Sequence, residues 1–323
     1  MSPSRVLVLG GSGFIGRHLV AELVRRGLKV TVPSRRRERA KHLILLPTVD
    51  VVEADVMAPG VLERLCAGKQ AVYNLIGILH SRRGLRGERG SNEYGPDFAR
   101  MHVELPQAIV AACRASGAQR LLHISALGAS PDAPSEYLCS KGIGEQAVLA
   151  AEDLNVTVFR PSVVFGPEDR FLNQFARLAR LFPAMVVPCP DARFQPVYVG
   201  DVARALHYAL EDPEARGRAY ELCGPREYTL KQLVESVCAL TGRRRIVLGL
   251  SPRLSYFQAW VLEHLPGKIM TRDNYRSMQV ANACSAAFPF DLQPQALEAV
   301  APMYLLPTHS RERYPQLRWR ARR

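Results

Sequence analysis

Tyr137 and Lys141 stand four residues apart in Tyr-Leu-Cys-Ser-Lys. On a helix that spacing puts both side chains on one face, within reach of each other. A tyrosine hydroxyl has a reference pKa of about 10 and is a poor base at neutral pH. Bringing it to neutrality takes about 4 kcal/mol. The Lys141 ammonium and the positive charge of an oxidised nicotinamide are the groups that could supply it. Ser125 lies upstream at the end of an apolar run, where its hydroxyl could hydrogen-bond a substrate carbonyl or alcohol. Together the three suit passage of a proton through Tyr137 alongside a hydride transfer. Tyr-x-x-x-Lys alone is a common pattern, and its weight here comes from agreement with Ser125 and with a second motif near the N-terminus.

That motif is Val-Leu-Val-Leu-Gly-Gly-Ser-Gly-Phe-Ile-Gly, residues 6–16. An apolar strand stops at a glycine turn, and an amphipathic helix starts at Phe14. Backbone N–H groups and the helix dipole there favour a pyrophosphate. Gly11, Gly13 and Gly16 spell G-x-G-x-x-G; Gly10, Gly13 and Gly16 spell G-x-x-G-x-x-G. Either register reads as a dinucleotide turn in which Gly10 to Gly16, with Ser12, Phe14 and Ile15, face the phosphates. A Walker A loop is excluded, because Arg17 and His18 follow the last glycine in place of Lys and Ser or Thr. A nucleophile elbow at Ser12 is excluded by Phe14.

The elements that position these residues alternate. Arg5–Leu9 reads as a strand, followed by a helix to about Arg26. Strands follow at Leu28–Val32, Val51–Ala54 and Ala71–Ile76, then a helix from Phe98 to Ala115, a strand at Arg120–Ser125, a helix at Glu136–Glu152 and a strand at Val156–Arg160. Repeated β-α-β predicts an α/β fold, a doubly wound parallel sheet of Rossmann type with right-handed crossovers. Ligands in such sheets sit at the carboxyl ends of strands, where Gly10, Ser34, Asp55, Asn74, Ser125 and Pro161 fall. We expect residues 1–165 to form the nucleotide domain, with 200–211 returning to it. A smaller α/β lobe on the substrate side spans 166–310, and 311–323 forms a basic mobile tail. Asp201 reads as the cap of a helix over Val202–Leu210, and Thr229 as the cap of another. The aromatic stretch at 254–262 reads as lobe core. His102 and His123 read as packing or surface residues.

Composition sets outer limits. The chain has 323 residues, 47% hydrophobic and 23% charged, ordinary for a globular protein. No apolar run has the length of a membrane span, and the first strand begins too early for a signal peptide. The seven cysteines are scattered, with no C-x-x-C. They predict reduced thiols in a cytoplasmic setting and no metal site. The net charge of +13 gathers at Arg35–Lys41, Arg82–Arg89, Arg243–Arg245 and Arg311–Arg323. It suits an anionic membrane surface or the subunits of a membrane complex, and equally a set of solvated loops. Nucleic acid is disfavoured, because the basic clusters are not interleaved with aromatics.

These residues carry a resemblance. The glycine turn, Asp55-Val56, Asn74, Ser125, Tyr137-x-x-x-Lys141, the run Arg160 to Pro167 and Val199-Gly200-Asp201-Val202-Ala203 together resemble an extended or atypical short-chain dehydrogenase/reductase over residues 5–230. Tyr-Leu-x-Ser-Lys-Gly-x-Gly-Glu and Gly-Pro-Glu-Asp-Arg-Phe-Leu-Asn resemble the branch that holds the nucleotide-binding accessory subunit of respiratory complex I and its bacterial relatives. The resemblance implies a Rossmann fold with bound NADP(H). It also implies Asp55 and Val56 beside the adenine, Asn74 and Gly77 near the ribose, and Pro161, Ser162 and Val163 at the nicotinamide.

The second strand ends in Ser34-Arg35-Arg36 with no acidic residue to bind a ribose 2′-hydroxyl, which favours NADP(H) over NAD(H). Two functions follow. One is an oxidoreductase or epimerase acting on a quinone-, isoprenoid- or sugar-related carbonyl or alcohol. In it Ser125 orients substrate, Tyr137 is acid/base, and Lys141 tunes it and holds the nicotinamide ribose. The other is a non-catalytic, nucleotide-loaded accessory or assembly subunit of a complex-I-type NADH:quinone oxidoreductase. Either places the protein in the cytoplasm or peripheral to the inner face of a membrane.

Overall fold

The computed structural model describes residues 4–82, 94–265 and 269–306. The basic tail and most of the Arg82–Arg89 cluster lie outside the described residues. The first half builds β1 (Arg5–Leu9), α1 (Phe14–Arg25), β2 (Lys29–Ser34), β3 (Val49–Glu53), α2 (Val61–Cys66) and β4 (Ala71–Asn74). A short α3 (Pro96–Phe98), one π-helical stretch (Ala99–Glu104) and α4 (Leu105–Ser116) follow. Then come β5 (Arg120–Ile124), α5 (Glu136–Leu149) and β6 (Asn155–Pro161).

The second half begins with β7 (Val164–Phe165), α6 (Phe171–Leu181), β8 (Ala184–Val187), β9 (Arg193–Phe194) and β10 (Val197–Tyr198). It continues through α7 (Val199–Glu211), β11 (Arg218–Leu222), β12 (Tyr228–Thr229), α8 (Leu230–Leu240) and β13 (Ile246–Gly249). It ends with α9 (Pro252–His264), α10 (Arg272–Ser277), α11 (Leu297–Val300) and α12 (Pro302–Leu305).

Seven parallel strands form the main sheet in the order β11-β6-β5-β4-β1-β2-β3. The order reverses between β1 and β4, which opens the crevice where such sheets bind ligands. Period-2 alternation sorts each strand's side chains between two cores. Val6, Val8 and Leu122 pack with Leu19, Val20 and Leu206 on the α1/α7 face. Leu7, Leu9 and Leu121 pack with Leu62, Leu65 and Ile109 on the α2/α4 face. Burial on both faces explains why the strands read as nearly unbroken apolar runs. A third core, including Leu172, Ala176, Leu233, Val234 and Val237, holds the C-terminal lobe together. The seventh strand, β11, has no counterpart among the elements read from the sequence.

Four readings are corrected. The Phe98–Ala115 helix starts earlier, at Pro96, and passes through the π-helical stretch. Asp201 does not cap its helix: α7 begins at Val199 after an extended Tyr198. Asp201 is instead fully buried, paired with Arg204 and accepting the Gln295 N–H at 2.6 Å. Thr229, by contrast, caps α8 through a reciprocal capping box with Gln232. The 254–262 stretch is not lobe core. It lies in α9, where Ser255 and Ala259 alone are buried and the large side chains face outward. Nor are all cysteines reduced: Cys223 and Cys284, 61 residues apart, form a disulfide with Cα atoms 5.9 Å apart. Local spacing could not show this, because the pair meets only when the chain returns along the edge of β11.

Candidate nucleotide and catalytic site

β1 runs into the glycine turn at the crevice. A Cβ at Gly16 would stand 2.2 Å from the Gly10 carbonyl oxygen and 2.6 Å from Gly11 Cα, so only glycine lets α1 start this close to the turn. The Gly13 N–H donates to the Gly10 carbonyl at 2.9 Å. Ser12, Phe14 and Ile15 are half-buried around it. Gly13 caps α1 without any side-chain hydrogen bond, and the first turn carries no acidic residue. The positive end of the helix dipole is therefore left to an outside anion, as a pyrophosphate requires.

The neighbouring strand ends supply the rest of the crevice. Ser34 is buried at the end of β2, and its hydroxyl donates to the Arg36 carbonyl, while Arg35 and Arg36 are exposed. Asp55 accepts the Met57 N–H in a tight turn after β3, and Val56 packs on the α2/α4 core. Asn74 is buried at the end of β4; its amide oxygen accepts the Ile76 N–H and its amide nitrogen donates to His123 Nδ1. Gly77 lies against Lys141 and His102, since a Cβ there would be 3.6 Å from Lys141 Nζ and 3.8 Å from His102 Nε2.

α5 carries Tyr137 and Lys141 on one face. Lys141 Nζ donates to the Ile124 carbonyl at 2.8 Å, next to Ser125. Ser125 is buried, and its hydroxyl has no hydrogen-bond partner among the described residues. Buried hydroxyls are rarely left so, and this one is disposed to meet an outside carbonyl or alcohol. The Tyr137 ring sits against His102 and Phe98, with centroids 5.6 and 6.2 Å away.

Burial dominates the electrostatics. It pushes the Tyr137 phenol up to about 12. It pushes Lys141 down to about 8, against the opposing pull of Glu145. The loss of water alone sets the phenol, and Tyr137 is held protonated at neutral pH. Desolvation first, and Lys141 second, also keep His102 and His123 neutral.

Four residues to which the sequence reading gave no role at the site, His102, Gly144, Asp273 and Asn282, complete the arrangement. His102 Nε2 accepts the Ile78 N–H, so Nδ1 carries the proton and donates to Ser140, whose hydroxyl donates in turn to the Tyr137 carbonyl. A Cβ at Gly144 would sit 1.8 Å from the His102 carbonyl oxygen, so glycine there admits α5 to the π-helical stretch. Asp273, on α10, accepts the N–H groups of Glu136 and Tyr137 at 2.7 and 3.1 Å. It thereby caps α5 from the other lobe, while the Ser135 hydroxyl accepts the Leu138 N–H. Asn282 accepts from the Ser162 hydroxyl at 2.6 Å and the Val163 N–H at 3.0 Å, fixing the loop that follows Pro161. The sequence offered no signal for Asp273 or Asn282, more than a hundred residues from their partners.

The Gly-Pro-Glu-Asp string turns out to be a junction. Asp169 accepts the N–H groups of Gly166, Leu172 and Asn173 and the Tyr304 hydroxyl, and Glu168 pairs with His18 of α1. No cluster of His, Cys, Asp and Glu that could hold a metal occurs among the described residues.

Comparison with known proteins agrees with this fold. The sequence profile of the NAD dependent epimerase/dehydratase family matches residues 6–223. The chain belongs to this family. It is 31% identical over 317 residues to the mouse protein "NADH dehydrogenase [ubiquinone] 1 alpha subcomplex subunit 9, mitochondrial", covering 90% of this chain and 77% of that one. It is 33% identical over 201 residues to the "Ceramide reductase" of Caulobacter vibrioides, covering 62% of this chain and 59% of that one. Among solved structures, DesIV, a dTDP-glucose 4,6-dehydratase from Streptomyces venezuelae with NAD and TYD bound, superposes with a TM-score of 0.66. That match has 20% identity and covers 78% of this chain and 85% of that one. The family membership places the chain in the extended short-chain dehydrogenase/reductase superfamily, among relatives that include complex I subunits and reductases.

Proposed function

We propose that this protein is an NADP(H)-dependent oxidoreductase that reduces a carbonyl, with Ser125, Tyr137 and Lys141 as its catalytic residues. The single observation behind the reading is the partnerless, buried Ser125 hydroxyl beside the carbonyl that receives Lys141, with Tyr137 one helical turn away. The glycine turn and the uncapped start of α1 would hold the pyrophosphate, Arg35 and Arg36 the 2′-phosphate, and Lys141 the nicotinamide ribose. When bound, the dinucleotide supplies the hydride. Ser125 then donates a hydrogen bond to the substrate carbonyl, and Tyr137 gives its proton to that oxygen as it becomes an alcohol. A phenol held near 12 is in the right form to act as an acid, which favours the reductive direction. The proton is replaced from the side of Lys141.

The substrate class we propose is a quinone-, isoprenoid- or sugar-related carbonyl. Two relatives carry ubiquinone or ceramide in their names, which favours a lipid among these. Turnover of NADPH with a panel of such carbonyls tests the reading. Tyr137→Phe should lower kcat by about 10²–10⁴-fold with little change in nucleotide affinity; unchanged turnover would remove the assignment.

A second reading rests on the match to the complex I subunit along 90% of this chain. In it the protein is a nucleotide-loaded accessory subunit at the inner face of a membrane, docked through its basic surface. Co-purification with membrane subunits, with assembly insensitive to Tyr137→Phe, would favour it.

A further inference from the structure

α9 is seated through two small residues one turn apart, Ser255 and Ala259. Its large side chains are left outside: Leu254 is 53% exposed, Phe257 58% and Trp260 46%, with Tyr256 and Val261 also open. Phe257 and Trp260 stack with centroids 6.0 Å apart. α9 borders the β8/β13 ribbon, where Gln258 donates to the Val186 carbonyl. Val186 and Leu248 are register partners on that ribbon and both are exposed, as is Ile246. Arg245 ties the ribbon to the end of α6 by donating to the Ala179 carbonyl, beside exposed Leu181 and Phe182. One lobe face therefore presents a continuous series of apolar and aromatic side chains, far more than scattered surface residues.

The charge around this face is mainly basic, although Asp191, Glu235 and Glu263 border it, Glu263 paired with Arg272. Residues 171–190 and 236–262 contain no Asp or Glu, yet they contain Arg177, Arg180, Arg243, Arg244, Arg245 and Arg253. All but Arg245 are exposed. A second copy of this chain would bring these arginines against one another across a two-fold interface, which opposes pairing. A bilayer with anionic headgroups meets both features: arginines at the phosphates, and tryptophan, tyrosine and phenylalanine at the boundary with the acyl chains. No described helix is long and apolar enough to cross a membrane, so contact would be peripheral.

We propose that α9 and the β8/β13 ribbon form a docking face for an anionic lipid bilayer. It deepens the membrane part of the reading above by locating the contact in the lobe, on a helix that packs against α10, and it does not depend on turnover.

The test uses the full chain with phosphatidylcholine vesicles, with and without phosphatidylserine. Trp260 is one of two tryptophans, the other being Trp319, so a Trp319→Phe background isolates its fluorescence. Serine-containing vesicles should blue-shift the emission and sediment the protein, and added salt should weaken both effects. Leu254→Ser with Phe257→Ser should lower partitioning by about tenfold or more while the cooperative melt is kept, since both side chains lie on the surface. Absence of partitioning overturns the proposal, as does partitioning indifferent to the double substitution. So does a dimer that the same substitutions abolish in the absence of vesicle binding. Nucleotide uptake, measured on the same samples, shows separately whether the crevice reading stands.

Discussion

Lys141 is charged in a place that disfavours charge. Its folded pKa of about 8 lies below its ordinary value of 10.5 because burial strips its water. Below pH 8 the folded and unfolded chains both hold the proton, and the folded state bears a constant penalty. Between pH 8 and 10.5 the unfolded chain holds the proton and the folded chain releases it, so stability rises with pH by about 3 kcal/mol. Lys141→Met should lose that rise, and denaturation curves at pH 7 and pH 10 for both proteins read the difference directly. Parallel pH dependence would show that Lys141 keeps its ordinary pKa. Arg35 supports a second residue-scale prediction. It is exposed just after β2. Arg35→Asp should weaken NADPH by at least about tenfold and leave NADH nearly unchanged, by calorimetry. Equal losses would place Arg35 outside nucleotide selection.

At the scale of elements, α5, the helix that carries Tyr137 and Lys141, is held at its first turn by groups from three parts of the chain. Ser135 is local, Asp273 comes from α10, and Glu136 reaches back to the Gly95 N–H. Asp273 matters most for Tyr137, whose own N–H it accepts. Asp273→Ala should destabilise the protein by about 1–2 kcal/mol in chemical denaturation. It should also lower kcat more than it raises KM, with Asp273→Asn recovering part of both. Loss of stability without any kinetic effect would make Asp273 a structural cap only. The helix itself was legible in the sequence, which starts it at Glu136, although it ends at Leu149 and not at Glu152, and its cap Ser135 was not read. The π-helical stretch was not. Nothing in its side-chain spacing departs from a helix, and its effect, the approach of the His102 carbonyl to Gly144, appears only when the two helices are packed.

On the scale of the molecule, the C-terminal segment returns to the sheet and is fastened there. Cys284 bonds Cys223 just beyond β11, Asn282 holds the loop after β6, and Phe288, Phe290 and Leu292 pack on the α1/α7 core. The disulfide closes a loop with a sequence separation of 61. Constraining the unfolded chain by a loop of that length contributes about 4 kcal/mol. Cys284→Ser, or reductant added to the wild type, should lower unfolding stability by up to that amount. An unchanged denaturation midpoint would mean that the non-covalent contacts suffice to hold the segment.

The sequence by itself determined the parallel sheet, the glycine turn and the shared face of Tyr137 and Lys141. Each rests on interactions within about one element: short apolar runs between helical ones, a steric limit at Gly16, a spacing of four on a helix. Only the tertiary structure decided which residues hold these pieces in register. Asp273 and Asn282 act across more than a hundred residues, the seventh strand pairs with β6 after a long excursion, and Cys223 meets Cys284 on the returning chain. It also decided which face of α9 is open. Periodicity marks an apolar stripe, but not whether core, membrane or nothing lies against it; here Ser255 and Ala259 face the lobe and the large side chains do not.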